Sequence, residues 1–454
     1  MAEAHAVPSF ARQTGMDCSA CHTSFPELTP FGREFKLNGY TLGEAKMTPF
    51  ALMVQASYNN IANGHYAASN GAVSDNGGFA DTSKTMLRQG DITLDQVSLF
   101  AAGKVNDHLG GFIQFTQSNA NTSAGGDKVE GHSNLDNTDI RLIDNFQIAN
   151  KNLLVGLNLN NNPSVQDVWN SSTAWGFPFQ STGLDNPAKF AIPGTIIDGG
   201  LAQTSAGLGA YFWYDKHLYG ELSFYRPANH AFSLLSAGTA FGDNTKLSGN
   251  NNPYWRLAWN EERGPHSFML GTFGMRADVF PSIADLNTDP NGRATDRFTD
   301  TAIDAQYQYI SDPSIITLQS SFIHEKQQYG AYTLNAVTTS NTSNTLNSFK
   351  AKASYLYDRK YGATLGYFKT FGSQDSGLYA TAGDILSGSI TNPTNKPNYE
   401  WYVAELDYNP RTNVRLSMQY TGYLKWGGFT SNYDGNGRNP SDNNMLSLNL
   451  WFAY

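Results

Sequence analysis

The chain has 454 residues, of which only 15% are charged and 13% aromatic, and its formal net charge is −9. No apolar run reaches the roughly 18 residues that a membrane-spanning helix requires, and the acidic balance argues against nucleic acid as a partner. Low charge, abundant Tyr, Phe, Gly and Asn, and no apolar helix fit a transmembrane β-barrel, whose strands are apolar only at alternate positions.

Residues 1–9 show neither a basic start nor an apolar centre, so no signal peptide is visible. Ala2-Glu3-Ala4 and Ala4-His5-Ala6 have the small-x-small form of a cleavage tail, and the sequence reads as a mature, exported form behind an added Met1.

Both cysteines of the chain fall in Cys18-Ser19-Ala20-Cys21-His22. C-x-x-C-H is the attachment pattern of a c-type haem: each thiol forms a thioether with a vinyl group, and the adjacent imidazole coordinates the iron. Cys18 and Cys21 are therefore the expected anchors of one covalent haem c, and His22 its proximal metal ligand. A structural zinc site would need four ligands, and only these three are local. A thioredoxin-like redox pair would sit in a βαβ pattern that is absent here, which leaves a plain disulfide as the bland alternative. Covalent haem implies export, and electron transfer is then the default chemistry.

Thr29-Pro30 predicts a helix start, with Thr as N-cap and Pro in the first turn, and Gly39 supplies the stop. Phe31 and Phe35 share one face of that helix, and with Leu28 they are candidates for packing on the haem or on ordinary protein. So short a segment cannot bury a large core, and the haem itself is expected to serve as one. The predicted division is 1–47 as a monohaem c-type cytochrome segment and 48–454 as a porin-like barrel.

Beyond residue 48 the period becomes two. Leu446, Leu448, Leu450, Phe452 and Tyr454 fall opposite Ser447, Asn449, Trp451 and Ala453. Val414, Leu416, Met418 and Tyr420 alternate with Arg415, Ser417 and Gln419; Ile303, Ala305, Tyr307 and Tyr309 alternate with Asp304, Gln306 and Gln308; Tyr402, Ala404, Leu406 and Tyr408 alternate with Val403, Glu405 and Asp407. Apolar-out and polar-in is the demand of a water-lined barrel in lipid. Seven short polar turns, near 105–108, 149–152, 215–217, 262–265, 311–313, 358–360 and 409–413, alternate with long stretches rich in Gly, Asn, Ser and Thr. The count gives sixteen strands, with turns periplasmic, loops outside and both barrel ends at the periplasmic side. Gln96 and Asp144 break the alternation, which predicts a bulge or a shifted register at each.

The fold expected is therefore all-β: a sixteen-stranded outer-membrane barrel with a small α-helical cytochrome segment inside or capping its lumen. The stretch VPSFARQTGMDCSACHTSFPELTPFGREFKLNGYTL, followed by a barrel of some 400 residues, resembles the outer-membrane fused monohaem cytochrome–porins, the iron oxidases of iron-oxidising bacteria. The resemblance is specific in the first 45 residues and architectural beyond them. It implies oxidation of extracellular Fe(II) and transfer of the electron, through the haem held by Cys18, Cys21 and His22, to a periplasmic c-type cytochrome or other acceptor. The alternative from another class is a general or solute-selective porin whose haem serves another donor or a structural role.

No catalytic residue for the iron itself is singled out. Met47 and Met53 lead as candidates for the second haem ligand, followed by Met16, His5, His65 or water. Arg33 and Lys36 are either partners of the haem propionates or solvated helix charges. Asp304, Glu405, Asp407 and Glu221, with Asp285 and Asp289 in a loop, either guide ferrous ions or simply keep the lumen wet.

Overall fold

In the computed structural model, described for residues 8–454 except 46–47, 63–65, 68–72, 75–89, 91, 122–128, 173, 175, 181–191, 229, 237–246, 250, 282–294, 331–332, 335–338, 380, 386–387, 392–393 and 434–436, sixteen antiparallel strands close into one barrel. They are β1 (Phe50–Ile61), β2 (Ile92–Lys104), β3 (Leu109–Asn121), β4 (Val129–Ile148), β5 (Lys151–Asn160), β6 (Ser205–Tyr214), β7 (Leu218–Pro227) and β8 (Asn252–Arg263). The second half comprises β9 (His266–Val279), β10 (Asp296–Ser311), β11 (Ser314–Gln328), β12 (Ser343–Tyr357), β13 (Tyr361–Gly372), β14 (Tyr399–Arg411), β15 (Val414–Lys425) and β16 (Met445–Ala453). Closure comes from β1, which pairs with β2 on one side and with β16 on the other, Ala56 facing Leu450. The closed barrel has no edge strand among the described residues, the condition for β-structure in lipid.

The period-two pattern is explained by the two faces. Leu99, Phe115, Leu157, Leu208, Trp259, Leu270, Ile303, Leu365, Leu406 and Leu448 are all exposed and form an apolar band around the barrel. Their neighbours along the strands, such as Ser98, Asn158, Asp304, Glu405 and Ser447, are buried toward the lumen. At the short-turn end Tyr357, Tyr361, Tyr408 and Tyr454 are exposed, the aromatic girdle expected where hydrocarbon meets water. The seven turns fall where the sequence puts them, with ends shifted by no more than three residues. An apolar band around a closed, even-stranded, polar-lined barrel is the form of a bacterial outer-membrane protein. The chain is one.

Register irregularities depart from expectation at one of two places. Gln55 pairs with Gln96 while Ala56 pairs with Leu94, so Asp95 is bulged and Gln96 turns inward to donate to Ser98. Asp144 needs no bulge: it points outward at the short-turn rim, 4.0 Å from His108, where water can solvate it. The irregularity of β4 lies instead at Asp136–Asn137, opposite Gln114.

Three short helices precede the barrel: α1 (Pro8–Thr14), α2 (Cys18–Cys21) and α3 (Pro30–Leu37). They sit inside its short-turn end. Hydrogen bonds tie them to the wall around the circumference: Tyr40 to Asp139 (2.7 Å), Tyr211 to the Leu37 carbonyl (2.7 Å), Arg33 to Ser267 (2.6 Å) and Gln308 (2.7 Å), and Arg359 to the Ser19 carbonyl (3.2 Å). From the long-loop side, the connection after β5 folds inward and meets them. Its Trp169 is fully buried, with its carbonyl accepting from Gln306 (2.6 Å) and Gln319 (2.7 Å), and Arg256 stacks over its ring.

Candidate functional site

α2 is a single helical turn. It places Cys18 and Cys21 three residues apart on one face, and the His22 N–H closes it by donating to the Cys18 carbonyl (2.9 Å). Thr29 then fastens this turn to α3. Its hydroxyl donates to the Ala20 carbonyl (2.6 Å) and accepts from the Gly32 N–H (3.1 Å), the N-cap predicted from Thr29-Pro30. The two helices pack so closely that a Cβ on Gly32 would stand 2.1 Å from the Cys21 carbonyl oxygen, which is why α3 carries glycine in its first turn. Gly39, at φ +63°, ends the helix as expected.

Cys18, Cys21 and His22 line one cavity of about 340 Å³ between the helices and the barrel wall. No disulfide joins the cysteines. Leu28, Phe35, Met53, Phe100, Phe112 and Trp451 contribute apolar wall, while Phe31 lies outside the lining. His22 packs on Phe25 with ring centroids 4.3 Å apart. Burial pushes the Cys21 thiol up to about 11, with Cys18 adding to the shift, and draws the His22 imidazole down to about 4 against the opposing pull of the Pro26 carbonyl. The imidazole is thus neutral, its metal-ligating form. His22 Nδ1 is buried with no hydrogen-bond partner among the described residues.

These residues fit a covalent haem: two thiols at the required spacing, a neutral imidazole beside them with an unsatisfied ring nitrogen, and an aromatic cavity opening from all three. Among the described residues no cluster of three or more His, Cys, Asp or Glu could hold a metal ion by itself.

The other sequence candidates separate. Met53 and Met16 line the cavity. Met47, His5, His65, Asp285 and Asp289 lie outside the described residues. Arg33 and Lys36 are not solvated charges. Arg33 is buried and spent on β9 and β10, and Lys36, at the cavity edge, donates to the carbonyls of Val165 (2.6 Å) and Asp167 (3.1 Å). The lumenal acids are already occupied: Asp304 is paired with Arg256 (2.5 Å), Glu405 and Asp407 with Arg415 (2.5 and 2.7 Å), and Glu221 accepts from Tyr219 and Ser223 (2.7 Å each).

Sequence periodicity revealed neither the inward loop nor the part that Arg415 plays at the cavity. Arg415 lines the cavity and donates to the Phe25 carbonyl (3.3 Å) as well as to its two carboxylates. Its only sequence signal was a cation at an inward position of β15.

No protein-family model matches the chain, and no curated protein matches it. Among solved structures it is similar to the outer membrane channel DcaP of Acinetobacter baumannii (13% identity, covering 89% of this chain and 96% of that one, TM-score 0.46). It is likewise similar to Salmonella typhi OmpF in complex with daunomycin (11% identity, 89% and 97%, TM-score 0.46) and to an anion-selective porin from Comamonas acidovorans (11% identity, 89% and 98%, TM-score 0.45). The barrel assignment rests on strand pairing and the apolar outer band.

Proposed function

We propose that the chain is an outer-membrane cytochrome that oxidises extracellular Fe(II) and delivers the electron to a periplasmic acceptor such as a c-type cytochrome. The observation that carries this reading is that the C-x-x-C-H turn lines a cavity inside the lumen of a membrane barrel. Each ferrous ion would give up one electron and leave as ferric iron outside, while the acceptor is reduced by one electron on the other side. A bound haem c supplies a one-electron centre between the two compartments.

The protein residues have separate tasks in this scheme. Cys18 and Cys21 hold the group covalently, and His22 ligates its iron. Phe25, Phe35, Phe100, Phe112 and Trp451 keep water from it. Arg33, Tyr40, Tyr211 and Arg359 hold the helices to the wall, so the site stays at a fixed depth. Moving only the electron keeps insoluble ferric mineral outside the cell. Fe(II) as the donor is supported by the resemblance of residues 7–42 to the fused cytochrome–porins.

The second reading, a diffusion or solute-selective porin whose haem serves another donor or a structural role, is favoured by the polar inward face of the strands. Two measurements separate them. Haem stain that survives denaturing electrophoresis and vanishes in the Cys18→Ala, Cys21→Ala double variant supports covalent haem; stain retained in the double variant contradicts it. Liposomes that swell freely in small solutes, in a protein whose haem ferrous iron does not reduce, favour the porin.

A further inference from the structure

We infer that Met53, a residue of the barrel wall, supplies the second axial ligand to the haem iron, and that Gln55 orients it. The inference rests on the covalent-haem reading above.

The inward face of β1 runs Ala51, Met53, Gln55, Ser57, Asn59. Met53 is the long apolar side chain in that row, beside polar positions of the kind a wet lumen requires. It is buried in one apolar cluster with Phe100 and Phe112, and it lines the same cavity as His22. Contacts across the strands fix its place. His22 packs on Phe25, Phe25 stacks on Trp451 of β16, and Trp451 pairs in register with Gln55, while Met53 pairs with Ala453.

A thioether is a soft donor suited to low-spin haem iron, and Met opposite His raises the reduction potential. Among the described residues the only other methionine in the lining is Met16, which is exposed and lies two residues before the first anchor; no second histidine lines the cavity. Gln55 Nε2 donates to Met53 Sδ (3.7 Å). That contact leaves sulfur electron density for a metal and holds the thioether in one orientation. A ligand from the barrel would complete the haem site only when the helices are docked in the lumen, so coordination would report docking.

The test uses the full-length, membrane-extracted protein with haem attached. The ferric wild type should show the sulfur-to-iron charge-transfer band in the red. Met53→Leu, which keeps the volume, should lose that band and bind carbon monoxide when reduced, while Met16→Leu keeps the band. Gln55→Leu should keep the band but lower the midpoint potential, because sulfur freed of its N–H donor becomes the stronger ligand to ferric iron; an unchanged potential would remove Gln55 from the scheme. Absence of haem from the wild type would fail the underlying reading. Haem present with no band in the wild type, or a band that survives in Met53→Leu, would overturn the ligand assignment alone.

Discussion

Phe25 stacks on Trp451, ring centroids 4.7 Å apart and planes 22° apart, so the segment that carries the C-x-x-C-H motif rests on the strand that closes the barrel. A small helical segment with little core of its own is thereby stabilised by the barrel it fills. Its polar groups find partners on the wall, and its aromatic side chains share the wall's apolar cluster, with Phe10 stacked on Tyr40 at 5.2 Å and Tyr40 edge-on to Phe112.

If the wall supports the segment, the barrel should survive its removal. Deleting residues 1–47 is expected to leave a heat-modifiable barrel that inserts in membranes, has lost haem and conducts more ions than the full-length chain in planar bilayers. Conductance equal to that of the intact protein would mean that the helices do not occlude the lumen.

Gly32 tests the contact between the attachment turn and α3. Gly32→Ala would place a Cβ against backbone, the Cys21 carbonyl, which cannot move aside without shifting the anchor. A cost of about 1–3 kcal/mol, that of overpacking, should fall on the segment and not on the barrel. The expected result is normal heat-modifiable mobility with a reduced haem-stained fraction; full staining would show that the turn can relax.

Arg415 neutralises two buried carboxylates at the cavity edge. Arg415→Ala strands Glu405 and Asp407, a loss of about 3–5 kcal/mol for a broken buried pair. The barrel should lose its compact electrophoretic form at a lower temperature, and Arg415→Ala combined with Glu405→Gln and Asp407→Asn should recover much of the loss. Failure of the triple variant to recover would place the effect in the Phe25 carbonyl contact instead.

Sidedness follows from the turn and loop lengths. Ser431 lies in the long connection between β15 and β16, and Lys360 in the short turn between β12 and β13. In intact cells a membrane-impermeant maleimide should label Ser431→Cys and spare Lys360→Cys. The opposite labelling would invert the barrel and put the haem segment outside.

Much of this architecture was legible because lipid imposes a simple rule. Alternation in 446–454 and 303–309 fixes which side of a strand is apolar, and the turn rhythm fixes the strand count. The capped helix at Thr29-Pro30 was readable for the same reason: its determinants are local. What escaped were long-range pairings. Arg33 and Lys36 look like solvated charges on a short helix, and only the surrounding barrel buries them against Gln308 and Val165. The acids Asp304, Glu405 and Asp407 look like free lumenal charge until Arg256 and Arg415, distant in sequence or on the next strand, are brought beside them. Trp169 sits in a loop-like, polar stretch, and nothing in its periodicity says that it turns into the lumen.

The central claim is that ferrous iron on the outer side reduces a haem held by Cys18, Cys21 and His22. It is tested most directly by the visible spectrum of the full-length protein in sealed liposomes, of the orientation established by labelling, before and after anaerobic ferrous iron is added to the face that bears Ser431. The account predicts conversion of the haem to its ferrous spectrum, with one ferric ion formed per haem. A haem that stays ferric under those conditions, yet is reduced at once by dithionite, would contradict it.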